Sequence, residues 1–389
     1  MLLYFLFVSH TFAENFTIFQ SDGVNCDPKC EFKGSSLTSK TLPLFPTTCS
    51  RVCGDLEFFE NCDLTEQQLT TAFINLKRLI GGVKIIDTNF TSAKFLGGVE
   101  YIECGYNMQF IGNNQLLELG LTNLTTLAFT GITVSENDKM RNLNIPNLKN
   151  LIPITPSHPD VEVYLTSSSS NNLCITTEVM KLFLRAPTVD KISVKYCDPV
   201  INGKMCKELA MGCVEIFGDV EIKSDYQLTL IKDVEVIYGS LTVDGINVTD
   251  LSFLEKLEYV ATLDKKPAIT IQNNQNLVNV TFPKLKRVTS SLLTAVVFKS
   301  NNRILVDDPS HCYGVRNSFK SKYTDVLVDD LSCVQTILLP PGNSRCGHYM
   351  AWIDGGEQWL CINDSFIQSR RKTVDLSKMF IKLIAFEKR

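Results

Sequence analysis

At 389 residues, 44% of them hydrophobic and 21% charged, the chain has ordinary globular composition and room for two or three domains. A net charge of −4, with no basic run beyond Arg370, Arg371 and Lys372, excludes nucleic acid as the expected partner. Fourteen cysteines point to a disulfide framework formed in an oxidising compartment.

In chain order, the apolar run Met1–Val8 followed by Thr11, Phe12 and Ala13 reads as a signal peptide over residues 1–13. A cysteine-containing segment, 14–48, comes next. Leu56-Glu57-Phe58 alternates apolar and polar residues after Gly54, the signature of a short strand. A helix is expected to start with Asp63 as its cap and Glu66 completing a capping box. Leu69, Phe73 and Leu76 then share one face, and Gly81-Gly82 stops the helix. Such a helix is expected to close the open end of the first repeat. Val83-Lys84-Ile85 is the next strand, and Val220-Glu221-Ile222 and Leu241-Thr242-Val243 show the same pattern later. These runs recur after roughly 20–28 residues, the interval of a leucine-rich rung and too long for hairpins. Beyond residue 13 no segment has the roughly 18 apolar residues of a membrane helix, so no membrane span is expected. The nearest, Met379–Phe386, is short and carries Lys382, and the charged Glu387, Lys388 and Arg389 argue against a lipid-anchor signal.

The two halves repeat each other. Residues 81–102 align without gaps to 239–260, with seven of 22 positions identical. Upstream, Cys49-x-x-Val52-x-Gly54-Asp55-Leu56-Glu57-Phe58 matches Cys213-x-x-Ile216-x-Gly218-Asp219-Val220-Glu221-Ile222. Downstream, Asn113-Asn114-Gln115 meets Asn273-Asn274-Gln275, and Leu121, Leu124 and Leu127 meet Phe282, Leu285 and Val288. Ordered markers of this kind indicate duplication. The paired asparagines are expected to satisfy buried turn backbone with their side-chain amides.

These residues resemble the receptor L domain, the ligand-binding module that occurs twice in insulin and EGF receptors. Nematode secreted or membrane-tethered proteins with two such domains are similar as well. The resemblance covers roughly Cys49–Cys197 and Cys206–Cys333. It implies two tandem copies of a β-rich solenoid, a right-handed parallel β-helix related to leucine-rich repeats, with short capping helices. The expected domains are residues 49–197 and 206–333, followed by a tail over 334–389. Only Asp198–Met205 separates the copies, where the receptors insert a cysteine-rich module. The resemblance also implies the disulfides Cys174–Cys197, Cys206–Cys213 and Cys312–Cys333, leaving Cys346–Cys361 for the tail. Cys49 is expected to pair upstream with Cys26 or Cys30, and Cys62 with Cys104. Cys26, Cys30, Cys49 and Cys53 also form a four-thiolate set. Zinc-knuckle spacing is tighter, however, and an oxidising compartment favours disulfides, so no metal is expected.

Little in the sequence suggests catalysis. His10 lies in the signal segment, while His158, His311 and His348 sit in Pro-, Asp- or Gly-rich stretches. No nucleophile elbow, zinc helix or phosphate loop occurs, so no cofactor is expected. The neighbours Asp307-Asp308 and Asp329-Asp330 point apart, which weakens the reading of a β-helix carbohydrate enzyme. If Leu56, Phe58, Val83 and Ile85 face inward, then Glu57, Phe59, Lys84 and Ile86 face outward, as do Glu221, Thr242 and Asp244 in the second copy. Phe59 and Ile86 would form an apolar patch, and Phe59, Lys84 and Ile86 are the expected ligand contacts. Six sequons, at Asn15, Asn89, Asn123, Asn247, Asn279 and Asn363, are expected to carry sugar, with Asn89 and Asn247 at equivalent positions. The sequence therefore suggests a secreted, non-catalytic, receptor-ectodomain-like protein. Its expected partner is an extracellular protein or peptide, insulin- or EGF-like, or a cell-surface receptor. An adhesive matrix component is the alternative.

Overall fold

The computed structural model describes residues 26–34, 36–154, 161–167, 172–186, 188–292, 294–307, 325–332, 347–353, 356–362, 366–369 and 373–375. The chain divides into two units, residues 1–173 and 174–389.

The first unit contains β1 (Arg51–Cys53), β2 (Leu56–Phe58), α1 (Glu66–Ala72), β3 (Arg78–Ile80), β4 (Val83–Ile86), β5 (Tyr101–Ile111), β6 (Thr126–Ser135), β7 (Asn150–Pro153) and β8 (Val161–Thr166). All pairings among these strands are parallel, in two ladders: β1–β3–β5–β6–β7 and β2–β4–β5–β6–β8. β5 and β6 run through both. At the bend between β1 and β2, Gly54 adopts a φ of 138°, a conformation that L side chains rarely take. Inward residues stack in register, as in Phe58–Ile85–Phe110–Val134–Leu165, and every member of that row is buried. Burying such side chains contributes about 1.5–3 kcal/mol each, which makes the core row the main stabiliser of the ladder.

Buried amides close the far corner of each step. Asn113 Nδ2 donates to Ile85 O (2.8 Å) and Asn137 Oδ1 (3.1 Å), while its Oδ1 accepts from Thr88 N (3.0 Å) and Thr88 Oγ1 (2.8 Å). Asn137 repeats the pattern toward Phe110 O. In the second unit Asn274 and Asn301 do the same toward Val243 O and Ile271 O. The amides are where the sequence placed them, with one change of register. Asn113 is equivalent to Asn274, not to Asn273. Asn273 corresponds to Gly112, and both adopt the left-handed conformation (φ 60° and 71°) that turns the chain before the amide.

The second unit contains β9 (Cys174–Ile175), α2 (Thr177–Arg185), β10 (Thr188–Ser193), β11 (Lys195–Tyr196), β12 (Met205–Cys206), β13 (Glu215–Phe217), β14 (Val220–Ile222), α3 (Asp225–Ile231), β15 (Val236–Tyr238) and β16 (Leu241–Asp244). It continues with β17 (Tyr259–Ala261), β18 (Ile269–Gln272), β19 (Arg287–Thr289), β20 (Thr294–Lys299), β21 (Asp325–Val328) and β22 (Leu331–Ser332). Its parallel ladders are β12–β13–β15–β17–β19 and β14–β16–β18–β20–β21, with β22 antiparallel at the end of the second. A four-stranded antiparallel sheet follows: β23 (Gly347–Ile353), β24 (Gly356–Ile362), β25 (Phe366–Ser369) and β26 (Thr373–Asp375). Among the described residues no sheet closes into a barrel.

α2 and Tyr196 meet the β13–β15–β17–β19 face. Lys181 pairs with Glu215, and Arg287 donates from Nη1 to Phe183 O (3.1 Å) and Ala186 O (3.0 Å) at the end of α2. The Tyr196 ring meets Phe217 and Tyr238 edge-on, and its hydroxyl donates to Ala261 O (2.9 Å).

Three expectations are corrected. The cap of α1 is Thr65, in a capping box with Gln68, rather than Asp63 with Glu66. Asp63 instead accepts from Ser39 N and Ser39 Oγ, bonds that hold its carboxyl below the usual carboxylate range. Second, the open end is closed by the cysteine-containing segment, not by α1. Phe32 N donates to Cys53 O and Leu37 N to Glu57 O, so Phe32 and Leu37 satisfy edge-strand carbonyls that a helix side could not. Phe45 then packs on Phe73 of the helix turn. Third, Cys62 and Cys104 are not bonded to each other but are free thiols. Cys104 lies at the bend of β5, two strands from β2, while Cys62 lies beyond the end of β2. Two steps of about 4.8 Å already exceed the Cα separation of about 7 Å that a disulfide tolerates. Burial pushes the Cys104 thiol up to about 12. Iodoacetamide at about pH 8 is therefore expected to spare Cys104 in the folded chain and modify it after unfolding, read by peptide mass spectrometry. A native adduct on Cys104 would contradict its burial.

Candidate functional site

The strand pattern fixes which side chains the first unit offers on its β2–β4–β5–β6–β8 face. Along one outward row Glu57, Lys84, Gln109, Thr133 and Tyr164 stand in register. Along the next, Ile86, Ile111 and Ser135 are aligned, with Phe59 just past β2. Phe59, Lys84, Ile86 and Ile111 are all half-buried. The structure thus sets Lys84 and Ile86 on one strand and extends the apolar strip to Ile111.

Lys84 is held in place from two sides. Its Nζ lies 2.8 Å from Glu57 Oε1 and 4.7 Å from the centre of the Tyr106 ring. A partly exposed ion pair of this kind contributes about 1 kcal/mol or less, so it orients the ammonium more than it stabilises the fold. Tyr106 rises onto this face because the β5–β6 register shifts between Cys104 and Asn107. Burial, followed by its hydrogen bond to Asp55, pushes the Tyr106 hydroxyl well above its ordinary range, so it stays protonated. Tyr106 and Ile111 escaped the sequence reading. Met108 and Phe110 alternate inward with Gln109 and Ile111 outward, and that alternation carried the signal for Ile111. Nothing local marks the bulge.

The corresponding face of the second unit is more polar. Glu221, Thr242, Thr270, Val297 and Leu327 form one row, and Asp244, Gln272 and Lys299 the next. Asp244 accepts from Asn273 (2.7 Å) and Gln272 (3.0 Å), which holds its carboxyl below the usual range. Among the described residues no group of three or more His, Cys, Asp or Glu is placed to hold a metal ion.

Asn89, Asn123, Asn247 and Asn279 are exposed. Asn89 and Asn247 each follow a strand of the outward ladder by three residues, after β4 and β16. Asn15 and Asn363 lie outside the described residues. Four disulfides join Cys26 to Cys53, Cys30 to Cys49, Cys174 to Cys197 and Cys206 to Cys213. Cys312, Cys333 and Cys346 fall outside the described residues, as does the side chain of Cys361, and with them the Cys312–Cys333 and Cys346–Cys361 pairs. No described helix is long and apolar enough to cross a membrane.

Comparison with known proteins adds two findings. A family model described as Receptor L domain matches residues 48–152 and 212–314. Protein irld-34 of Caenorhabditis elegans is 22% identical over 264 residues, covering 64% of this chain and 62% of that protein. The match thus spans less than two thirds of the relative.

Proposed function

The chain belongs to the receptor L-domain family, and from that premise we propose that it is a secreted, glycosylated binding protein that holds a protein or peptide ligand on the β2–β4–β5–β6–β8 face of its first repeat. The observation that carries this is the half-buried strip of Phe59, Ile86 and Ile111 running beside the polar row of Glu57, Lys84 and Gln109. A strip of apolar side chains beside fixed polar groups complements an amphipathic surface, such as one face of a small hormone-like protein.

Several features support the wider reading. The paired parallel ladders and their buried amides suit a right-handed solenoid, whose broad faces stay rigid when a ligand arrives. Four disulfides fit an oxidising, extracellular setting. Sugar on Asn89 and Asn247 would sit beyond the ends of β4 and β16, clear of the central rows. Receptor L domains are ligand-binding rather than catalytic modules, and the oriented Lys84–Glu57 pair serves recognition here.

Affinity capture with the secreted chain, followed by identification of what it retains, tests this reading. The double change Phe59→Ser with Ile86→Ser is expected to weaken capture about a hundredfold or more, at about 1.5 kcal/mol per apolar side chain, while secretion continues. Undiminished capture by that variant would remove the face from consideration. Retention of the chain only by itself would favour the adhesive matrix role.

A further inference from the structure

The other face of the first repeat carries an arrangement that the ligand strip does not explain. Arg51 and Arg78 stand in register on the adjacent parallel strands β1 and β3, and both are exposed. Among the described residues neither is in an ion pair. Parallel neighbours are about 4.8 Å apart, so two like charges are set side by side at a cost to the sheet. The Arg78 guanidinium carbon lies over the Tyr101 ring, 4.3 Å from its centre, a cation–π contact that holds the group at this face. The carboxylates nearby are already engaged. Glu103 accepts from the Tyr101 hydroxyl (2.9 Å), and Glu100 pairs with Lys77 (3.3 Å). Thr126 and Asn150 continue the same row.

The duplication shows what this surface is shaped for. Its equivalent in the second repeat runs Glu215–Val236–Tyr259–Arg287, with Tyr259 in the place of Tyr101. There the face is not bare. α2 and Tyr196 lie against it, and Lys181 of α2 meets Glu215. Arg51 occupies the position of Glu215, so the charge that greets an occupant is reversed. An occupant of the first face must therefore bring acid where α2 brings Lys181. We propose that the β1–β3–β5–β6–β7 face of the first repeat docks an acidic segment of a protein partner, with Arg51 and Arg78 pairing its carboxylates. Planar guanidinium groups suit bidentate carboxylate pairing, and the protein's own acidic balance makes any such capture local to this face.

The test uses the full secreted chain and a short fluorescein-labelled, glutamate-rich helical peptide, followed by fluorescence anisotropy. Binding is expected at low ionic strength and is expected to weaken as salt rises. Arg51→Glu with Arg78→Glu, and the milder Arg51→Gln with Arg78→Gln, are expected to reduce binding by about tenfold or more. Lys223→Glu with Lys299→Glu on the second repeat should leave it unchanged. Equal thermal midpoints for all variants establish that each is folded. Equal binding by the wild-type chain and both arginine variants overturns the proposal, as does no binding by the wild-type chain. Tighter retention of a heparin oligosaccharide than of the peptide, lost in the same variants, overturns the assignment to a protein partner in favour of a sulfated glycan.

Discussion

Asn113→Leu is expected to destabilise the first unit by about 3–5 kcal/mol, although leucine has the same branched heavy-atom skeleton as asparagine. The change strands Thr88 N, Thr88 Oγ1 and Ile85 O, all bonded to that amide in the interior, while Asn137 Oδ1 keeps only its bond from the backbone N–H of residue 113. Each buried group left unpaired costs about 1–3 kcal/mol, partly relieved by local movement. The urea midpoint of the first unit should fall by roughly 1–2 M, followed by hydrogen exchange at Ile85 and Phe110. The exposed neighbour Asn114 provides the control, since Asn114→Leu should shift the midpoint little. If the two variants behave alike, the buried amides are dispensable and the account of the corners is wrong.

The second large effect concerns the segment over the second unit. Arg287 is 5% exposed, and its guanidinium donates to two carbonyls at the end of α2, where the helix dipole also favours a cation. Arg287→Met keeps the apolar stem but removes both bonds. Hydrogen bonds to a charged group contribute about 1.5–3 kcal/mol each, so the loss is expected to be about 3 kcal/mol or more. Amide exchange in α2 should then accelerate roughly a hundredfold, while β16 and β18 keep their protection. Equal acceleration throughout the unit would mean that Arg287 supports the whole core rather than the docked segment.

Much of the architecture is legible in the residue order because its causes are local or periodic. Strands announce themselves through alternation, as at Leu56–Phe58 and Val83–Ile85, and the repeat fixes the interval between them. The inward face of α1 follows from Leu69, Phe73 and Leu76, all buried. What escaped depends on contacts distant in sequence. Asp63 is a good cap by type, but Ser39 claims its carboxylate, and the cap passes to Thr65. Asn273 and Asn274 are adjacent and chemically identical. Only the left-handed backbone of the first decides that the second turns inward. The cysteine-containing segment is short of strand signals, yet its backbone closes β1 and β2.

The candidate site divides along the same line. Phe59, Lys84 and Ile86 come from alternation, and Ile111 from the same rule applied one strand further. Tyr106 depends on an irregularity in register, for which no residue type is diagnostic. Residues 174–197 read as the close of the first repeat, and α2 within them meets Glu215 and Arg287. That contact was invisible because Lys181 and Glu215 are 34 residues apart, and neither belongs to a recurring motif.

Covering the β13–β15–β17–β19 surface with the chain's own polypeptide alters the stoichiometry that duplication would otherwise suggest. Two bare copies would make the molecule divalent toward anything that recognises this surface. With one copy occupied from within, each chain meets such a partner singly. Avidity then has to come from several chains held together or from a partner that is itself multivalent. Doubling the fold has given the molecule two unlike platforms rather than two equal hands.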